Sequence, residues 1–172
     1  GLDAVSLSPI ELGIYTDSSY LDANVISVNG EKIVEALKEH DVIIVPGFLG
    51  ITREHEITTL GRGGGGLTPL VLADFFQMKE VYLFKDVMGV FPSQPLLTKR
   101  VRPYKELSYQ EMRWLIEMGY NVLQKKAVMF AEKKKIHIYI GKIEDENGTW
   151  IQEKDSSENC IGCLATHQKI LL

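Results

Sequence analysis

The sequence lacks the features that mark several specialised classes of protein. Only 2 of its 172 residues are cysteine, which excludes a secreted disulfide framework and favours the reducing cytoplasm. No apolar run approaches the roughly 18 residues that span a bilayer, and no signal-peptide pattern opens the chain. The 19 basic residues face 23 acidic ones, for a net charge of -4. We therefore expect neither nucleic acid nor a membrane as a partner.

What the chain does contain is an ordinary globular composition. Hydrophobic residues make up 45% and charged residues 24%, which is enough for a core in a chain of this length. The first residue is Gly1 rather than methionine, and the last are the apolar residues 170–172. We therefore expect both ends to be cuts within a longer protein.

Strand and helix patterns alternate along the chain, which predicts an α/β fold with a largely parallel sheet. The predicted strands are residues 23–28, 41–45, 80–84 and 136–140, and the predicted helices are residues 31–40, 68–78 and a pair broken at Gly119. The apolar runs 41–45 and 80–84 are typical of strands buried on both faces. Thr68 is expected to cap its helix, with Pro69 in the first position. Ser108 and Glu111 form a capping box.

The first loop (residues 46–66) is polar, glycine-rich and too long for a simple connection. Such a segment is usually functional or contains a short hairpin. Its glycines let backbone N–H groups approach an anion, the following helix N-terminus adds positive potential, and Arg62 offers a two-pronged donor. The alternative is a flexible glycine loop with a solvated arginine. The first interpretation predicts a site for a carboxylate or a phosphate.

The second loop (residues 85–92) follows the strand that ends at Phe84. Asp86 is placed to orient a ribose or base, Phe91 to pack on a ring, and Gly89 to permit a tight turn. The alternative is a surface turn that holds a Lys85–Asp86 ion pair. Cys160 and Cys163 form a lone C-x-x-C pattern, and the four histidines show no ligand spacing, so we predict no metal site.

A series of motifs runs through almost the whole chain. In order they are GLDAVSL at 1–7, IVPGFLG at 44–50, TTLGRGG at 58–64, DVMGVF at 86–91, LSYQEM at 107–112, Gly119 with Val122 and Leu123, GTWI at 148–151 and IGCLA at 161–165. Together they resemble the aspartate kinases of the amino-acid kinase family. The resemblance implies a three-layer αβα sandwich with a mostly parallel sheet, here incomplete, because the family's Lys-Phe-Gly-Gly segment would precede Gly1.

The resemblance also implies a domain division and an activity. Residues 1–152 correspond to the C-terminal portion of the kinase domain, and residues 153–172 to a linker and the first strands of an ACT-like regulatory domain, through which the parent protein would form a homo-oligomer. The implied reaction is ATP-dependent phosphorylation of the L-aspartate side-chain carboxylate to 4-phospho-L-aspartate, the entry to lysine, threonine and methionine synthesis. Its cofactors are ATP and Mg²⁺.

The binding residues follow from the same resemblance. L-Aspartate, or a similar small acid, is expected at Phe48, Thr58, Thr59, Arg62, Gly63 and Gly64. The nucleotide is expected at Lys85, Asp86, Gly89, Val90, Phe91 and Asn121. No catalytic residue and no metal ligand is assigned, because the catalytic lysine belongs to the Lys-Phe-Gly-Gly segment. This chain alone is therefore expected to be inactive.

Several positions depart from the family pattern. Gly65 and Gly66 replace the Ser-Asp that ends G-R-G-G-S-D, and that Asp helps to organise the catalytic lysines. Further departures are Lys85 for Thr, Met88 for Asp, Phe91 for Tyr, Gln94-Pro95-Leu96 for Asp-Pro-Arg, Asn121 for Lys, and Gln124-Lys125-Lys126 for His-Pro-Arg. Lys99, Arg100 and Arg102 are candidates to compensate for the lost charge. The alternative function is therefore a degenerate relative that acts as a nucleotide- or amino-acid-binding regulatory module.

Overall fold

The computed structural model describes residues 1–92, 102–143 and 147–154. The chain divides into two compact units, residues 1–79 and residues 80–172. Across the described ranges, four of the seven strand pairings are parallel and three are antiparallel. None of the helices in these ranges is long and apolar enough to cross a membrane.

The first unit contains a two-stranded and a four-stranded sheet. In the smaller sheet, β1 (Ala4–Ser6) pairs in parallel with β4 (Val42–Ile44). The larger sheet has the order β3-β2-β5-β6, and its strands are β2 (Ile14–Thr16), β3 (Val25–Val28), β5 (Leu49–Ile51) and β6 (Ile57–Thr59). The helices are α1 (Pro9–Leu12), α2 (Glu31–Glu39) and α3 (Leu67–Phe75), and a 3₁₀ turn (Gly64–Gly66) leads into α3.

The first helix is delimited at both ends by local chemistry. The Ser8 N–H donates to Glu11 Oε2 at 2.8 Å and the Glu11 N–H donates to Ser8 Oγ at 3.3 Å, a capping box. The bond from the Ser8 backbone lowers the pKa of Glu11. The helix ends at Gly13, whose φ of 69° is in the left-handed region that suits glycine.

Strand β4 is less buried than its apolar sequence predicts. Val42 and Ile43 are half-buried, and Ile44 is 54% exposed. The strand pairs with β1 alone in a two-stranded sheet, and α2 packs on it. The predicted burial on both faces is therefore wrong for the described residues, because burial depends on covering layers that a run of apolar residues does not supply by itself.

In its described residues, the second unit contains one four-stranded sheet and two helices. The strands are β7 (Glu80–Phe84), β8 (Glu106–Ser108), β9 (His137–Gly141) and β10 (Thr149–Gln152), in the order β7-β9-β10-β8. β7 is parallel to β9, and β10 is antiparallel to β9 and parallel to β8. The helices are α4 (Tyr109–Glu117), which starts with the predicted capping box, and α5 (Lys125–Lys134).

The two faces of this sheet differ. One face carries the buried aliphatic side chains of Val81, Leu83, Ile138, Ile140 and Ile151. The other, the aromatic face, carries Tyr82, Phe84, Tyr139 and Trp150, and its ring centroids lie as close as 5.2 Å between Tyr139 and Trp150. Tyr82 is 51% and Phe84 52% exposed. Strand β7 therefore alternates between faces, and the prediction that it is buried on both is wrong.

Candidate functional site

The first loop is built around an unusual backbone conformation at Phe48. Its φ of 74° is in the left-handed region, which is uncommon for a bulky residue. Both of its backbone groups are satisfied: the N–H donates to Thr68 Oγ1 at 2.9 Å, and the carbonyl accepts the Leu60 N–H at 2.9 Å. These bonds fix the start of the loop to its end, while Phe48 as a residue remains 37% exposed.

Glycines are required where the two ends of the first loop meet. A Cβ at Gly64 would lie 2.7 Å from Leu60 Cβ and 3.3 Å from Phe48 Cδ2, so a side chain there would collide with its neighbours. Gly65 has open space around it, because no atom lies within 4 Å of its ideal Cβ. Gly63 is exposed and has a φ of 76°. The loop is therefore tightly packed at Gly64 and open immediately after it.

Arg62 is exposed at the tip of this loop. It makes no salt bridge with any of the described residues. Helix α3 starts at Leu67, four residues after Gly63, and the Leu67 N–H donates to the Gly64 carbonyl of the preceding 3₁₀ turn. An exposed arginine close in sequence to the start of a helix favours an anion, because the guanidinium and the N-terminal end of the helix dipole are both positive.

Thr58 and Thr59 use their hydroxyl groups within the protein. Thr58 is fully buried, and its Oγ1 lies 2.7 Å from Oγ1 of Thr16 on β2. The Thr59 hydroxyl donates to the Leu21 carbonyl at 3.0 Å. Both threonines lie on β6, which pairs with β5 as the short hairpin that the length of the first loop had suggested. Their hydroxyl groups therefore bind other parts of the first unit.

Thr68 has a different role from the predicted one. Helix α3 begins at Leu67 and its N-cap is Gly66, so Thr68 is the second helical residue and Pro69 the third. The Thr68 hydroxyl accepts the N–H of Phe48 instead of capping its own helix. The prediction of an N-cap at Thr68 is wrong, because the 3₁₀ turn of glycines continues directly into the helix.

The second loop leaves the carboxyl end of β7. Lys85 and Asp86 are exposed, and the Lys85 N–H donates to the Gly141 carbonyl at 2.9 Å, which anchors the start of the loop to β9. The described residues contain no ion pair between Lys85 and Asp86, so the alternative of a salt-bridged surface turn is not supported. Both side chains remain available to a ligand.

The rest of the second loop turns inward. Val90 is fully buried and Phe91 is 8% exposed, so both side chains lie in the protein interior and not on the surface. Gly89 is also buried, with a φ of 147°. Asn121 is exposed in the link between α4 and α5. Of the predicted nucleotide residues, the structure therefore exposes the side chains of Lys85, Asp86 and Asn121.

Sequence reasoning missed Thr149, the first residue of β10. Its buried hydroxyl accepts the Val90 N–H at 2.8 Å and donates to the Tyr104 carbonyl at 2.6 Å. Thr149 thus connects β10 to the second loop and to residue 104, which precedes β8. The signal available in the sequence is a hydroxyl residue at the head of a short apolar strand.

Several predicted features lie outside the described residues. They are Gln94-Pro95-Leu96, Lys99, Arg100, the Cys160–Cys163 pair and residues 155–172 of the ACT-like segment. Arg102 is described and exposed. Among the described residues, no three His, Cys, Asp or Glu side chains are grouped so that they could hold a metal ion.

Comparison with known proteins identifies the family. The family model described as "Amino acid kinase family" matches residues 1–142. The chain belongs to the amino acid kinase family. Within this family it is similar to aspartokinases: it is 37% identical to the aspartokinase of Geobacillus stearothermophilus over 159 residues, which cover 92% of this chain and 39% of that protein.

Solved structures of amino acid kinases share its fold. E. coli aspartokinase III in complex with aspartate and ADP (R-state) matches 91% of this chain and 36% of that chain, with a TM-score of 0.79 and 23% identity. The same enzyme in complex with lysine and aspartate (T-state) matches 90% of this chain and 35% of that chain, with a TM-score of 0.72 and 22% identity. This likeness confirms the predicted fold class, the αβα sandwich of the amino acid kinases.

The chain corresponds to only part of the length of these relatives. The chain spans about two fifths of the length of the curated aspartokinases that it matches.

Proposed function

We propose that this chain is the portion of an aspartate kinase that carries the acidic-substrate loop and the nucleotide loop. The reaction is ATP-dependent phosphorylation of the L-aspartate side-chain carboxylate to 4-phospho-L-aspartate, at the entry to lysine, threonine and methionine synthesis. The observation that carries this proposal is the first loop, in which Arg62 is exposed shortly before the start of α3, in a chain that is 37% identical to an aspartokinase.

The first loop would bind the acidic substrate. The Arg62 guanidinium can hold a carboxylate with two parallel hydrogen bonds, and the backbone N–H groups of the exposed residues Gly63 and Gly65 would serve a second anionic oxygen. The exposed Phe48 ring would contact the apolar carbon chain of the amino acid. Thr58, Thr59 and Gly64 would act indirectly, because they set the position of the loop.

The second loop would bind ATP, which supplies the phosphoryl group. Lys85 and Asn121 are exposed donors that suit phosphate or ribose oxygens, and Asp86 is an exposed acceptor for ribose hydroxyls. Gly89, Val90 and Phe91 would shape the loop from the interior. Mg²⁺ would be held mainly by the phosphates, as is usual for this cation in phosphoryl-transfer sites. Phosphoryl transfer needs mainly positioning and charge neutralisation, which suits these residues.

The second candidate is a degenerate relative that binds nucleotide or amino acid without turnover. The observation that favours it is the stretch Gly65-Gly66, which leaves the first turn of α3 without the carboxylate that the family places there. In either case we propose that residues 153–172 begin an ACT-like regulatory domain, through which the parent protein would form a homo-oligomer.

A pair of measurements tests the proposal. Titration calorimetry of the 172-residue chain should detect binding of MgATP and of L-aspartate, with glutarate and GTP as matched competitors of weaker affinity. The full-length polypeptide, given MgATP, L-aspartate and hydroxylamine, should form aspartyl hydroxamate by trapping of the acyl phosphate. Binding without hydroxamate formation would favour the degenerate relative. If the chain binds neither MgATP nor L-aspartate, both candidate functions are refuted.

A further inference from the structure

Thr149 makes a complete set of hydrogen bonds in the interior of the second unit. It is fully buried, its hydroxyl donates to the Tyr104 carbonyl at 2.6 Å, and the same oxygen accepts the Val90 N–H at 2.8 Å. A hydroxyl has one proton to donate and lone pairs to accept, so this single group can satisfy both backbone partners. Neither partner is on Thr149's own strand.

The bonds around Thr149 form a closed set. The Tyr104 N–H donates to the Val90 carbonyl at 2.8 Å, so both backbone groups of Val90 are held by Thr149 and Tyr104. Gly89 allows this approach: a Cβ there would lie 2.7 Å from Thr149 Oγ1 and 3.0 Å from Pro103 Cβ. The glycine and the threonine hydroxyl are therefore matched to one another.

The second loop is fixed to the sheet at two points. At its start, the Lys85 N–H donates to the Gly141 carbonyl, a bond between backbone groups. Near its end, Val90 is bound to the Thr149 hydroxyl, which depends on the identity of a side chain. Lys85 and Asp86, whose exposed side chains face the nucleotide in the proposed function, lie at and just after the first of these points.

We infer that Thr149 is a positioning residue for nucleotide binding, which acts by holding the second loop through Val90. This inference rests on the proposed function, in which the second loop binds the nucleotide. Thr149 itself would not contact the nucleotide. Removal of the hydroxyl takes away the acceptor of the buried Val90 N–H and a donor to the part-buried Tyr104 carbonyl, which favours departure of the loop from its bound position. Nucleotide binding would then have to order the loop again, which lowers the affinity for the nucleotide.

The test compares Thr149→Val, which keeps the shape and removes the hydroxyl, with Thr149→Ser, which keeps the hydroxyl. In calorimetry on the 172-residue chain, Thr149→Val should weaken MgATP binding at least tenfold, and Thr149→Ser should stay within threefold of the unsubstituted chain. Affinity for L-aspartate should be the same in all three proteins. Hydrogen exchange at the Val90 amide should be faster in Thr149→Val and near normal in Thr149→Ser.

The outcomes separate the inference from the function on which it rests. If the unsubstituted chain binds MgATP and a folded Thr149→Val protein binds it equally well, the inference is overturned while the proposed function stands. If the unsubstituted chain binds no MgATP, the proposed function fails and the inference falls with it. If Thr149→Val does not fold, Thr149→Cys, with a weaker hydrogen-bonding group of similar size, should give an intermediate loss of MgATP affinity, and an unchanged affinity would overturn the inference.

Discussion

The backbone N–H of Phe48 donates a 2.9 Å hydrogen bond to the side-chain hydroxyl of Thr68, 20 residues further along the chain. Phe48 has a φ of 74°, a conformation that costs a non-glycine residue about 1–3 kcal/mol. The bond to Thr68 and the bond from the Leu60 N–H to the Phe48 carbonyl offset this cost. A buried threonine in the first turn of α3 therefore determines where the Phe48 ring is placed.

Replacement of Thr68 by valine should therefore destabilise the first unit. The variant keeps the buried volume but leaves the Phe48 N–H without its acceptor, which costs about 1–3 kcal/mol of unfolding free energy. Thr68→Ser retains the hydroxyl and serves as the control, with a smaller loss. Urea denaturation measures both, and equal midpoints for the valine variant and the unsubstituted chain would contradict the role given to Thr68.

Adjacent glycines in the first loop should respond in opposite ways to alanine. Gly64→Ala places a methyl group 2.7 Å from Leu60 Cβ, and such overpacking typically costs about 1–3 kcal/mol. Gly65→Ala meets no atom within 4 Å, and it should raise stability by about 0.4–1 kcal/mol because it restricts the unfolded chain. Denaturation curves of the two variants provide the comparison. A Gly64→Ala protein as stable as the Gly65→Ala protein would contradict the close packing of Gly64 against Leu60.

Arg62 should control affinity for the acidic substrate without affecting the fold. Arg62→Gln removes a charge-assisted pair of hydrogen bonds, so the dissociation constant for L-aspartate should rise about tenfold or more. Arg53→Gln is the matched control, because Arg53 is also an exposed arginine, in the β5–β6 turn of the same unit. Both variants should keep their stability within about 0.5 kcal/mol, as expected for surface positions. If the two variants bind L-aspartate with the same affinity, Arg62 is not part of the site.

Tyr109 should make stability depend on alkaline pH. Its hydroxyl donates to the Ile136 carbonyl at 2.9 Å, and burial, followed by the charges of Glu153 and Glu132, raises its pKa to about 12. In the unfolded chain a tyrosine ionises near pH 10, so the unfolded state loses its proton first and gains in stability. The tyrosine's contribution is complete below pH 10 and declines between pH 10 and 12, by up to about 1.4 kcal/mol per pH unit.

The phenylalanine variant isolates this contribution. Tyr109→Phe cannot ionise, so the difference in unfolding free energy between it and the unsubstituted chain should shrink as the pH rises from 10 towards 12. Urea denaturation at pH 9, 10 and 11 measures the two curves. Parallel curves would mean that Tyr109 has the same pKa in the folded and unfolded chains.

Local patterns predicted most of the second unit's elements and several of the first unit's. The capping box at Ser108 and Glu111 formed as expected, because its bonds are made within four residues. The length of the first loop correctly suggested a hairpin. By contrast, the burial of β4 and β7 was overestimated, because a run of apolar residues does not reveal whether a sheet is covered on one face or two.

In the candidate site, too, the sequence indicates candidate ligand-binding residues but not the long-range hydrogen bonds that hold the loops. Arg62, Lys85 and Asp86 are exposed, and their ligand-binding roles stay predictions. The partners of Phe48 and Val90 could not be predicted, since Thr68 and Thr149 lie 20 and 59 residues away and bond to backbone groups that have no signature in the sequence. The local pattern predicted Thr68 as a helix cap, whereas its hydroxyl binds the Phe48 N–H, 20 residues away in the sequence.

Thr149 and Trp150 are consecutive on β10, and consecutive side chains of a strand point to opposite faces of the sheet. The hydroxyl of Thr149 holds the second loop, while the Trp150 ring contacts Tyr139 and Tyr82 on the aromatic face, with centroids 5.2 and 5.5 Å away. The sequence has only 2 tryptophans, and the other is Trp114 on α4. A Trp114→Phe protein would therefore carry a single indole fluorophore next to the residue that anchors the loop. Its emission would report optically, and without an added label, on the strand to which the loop is bound.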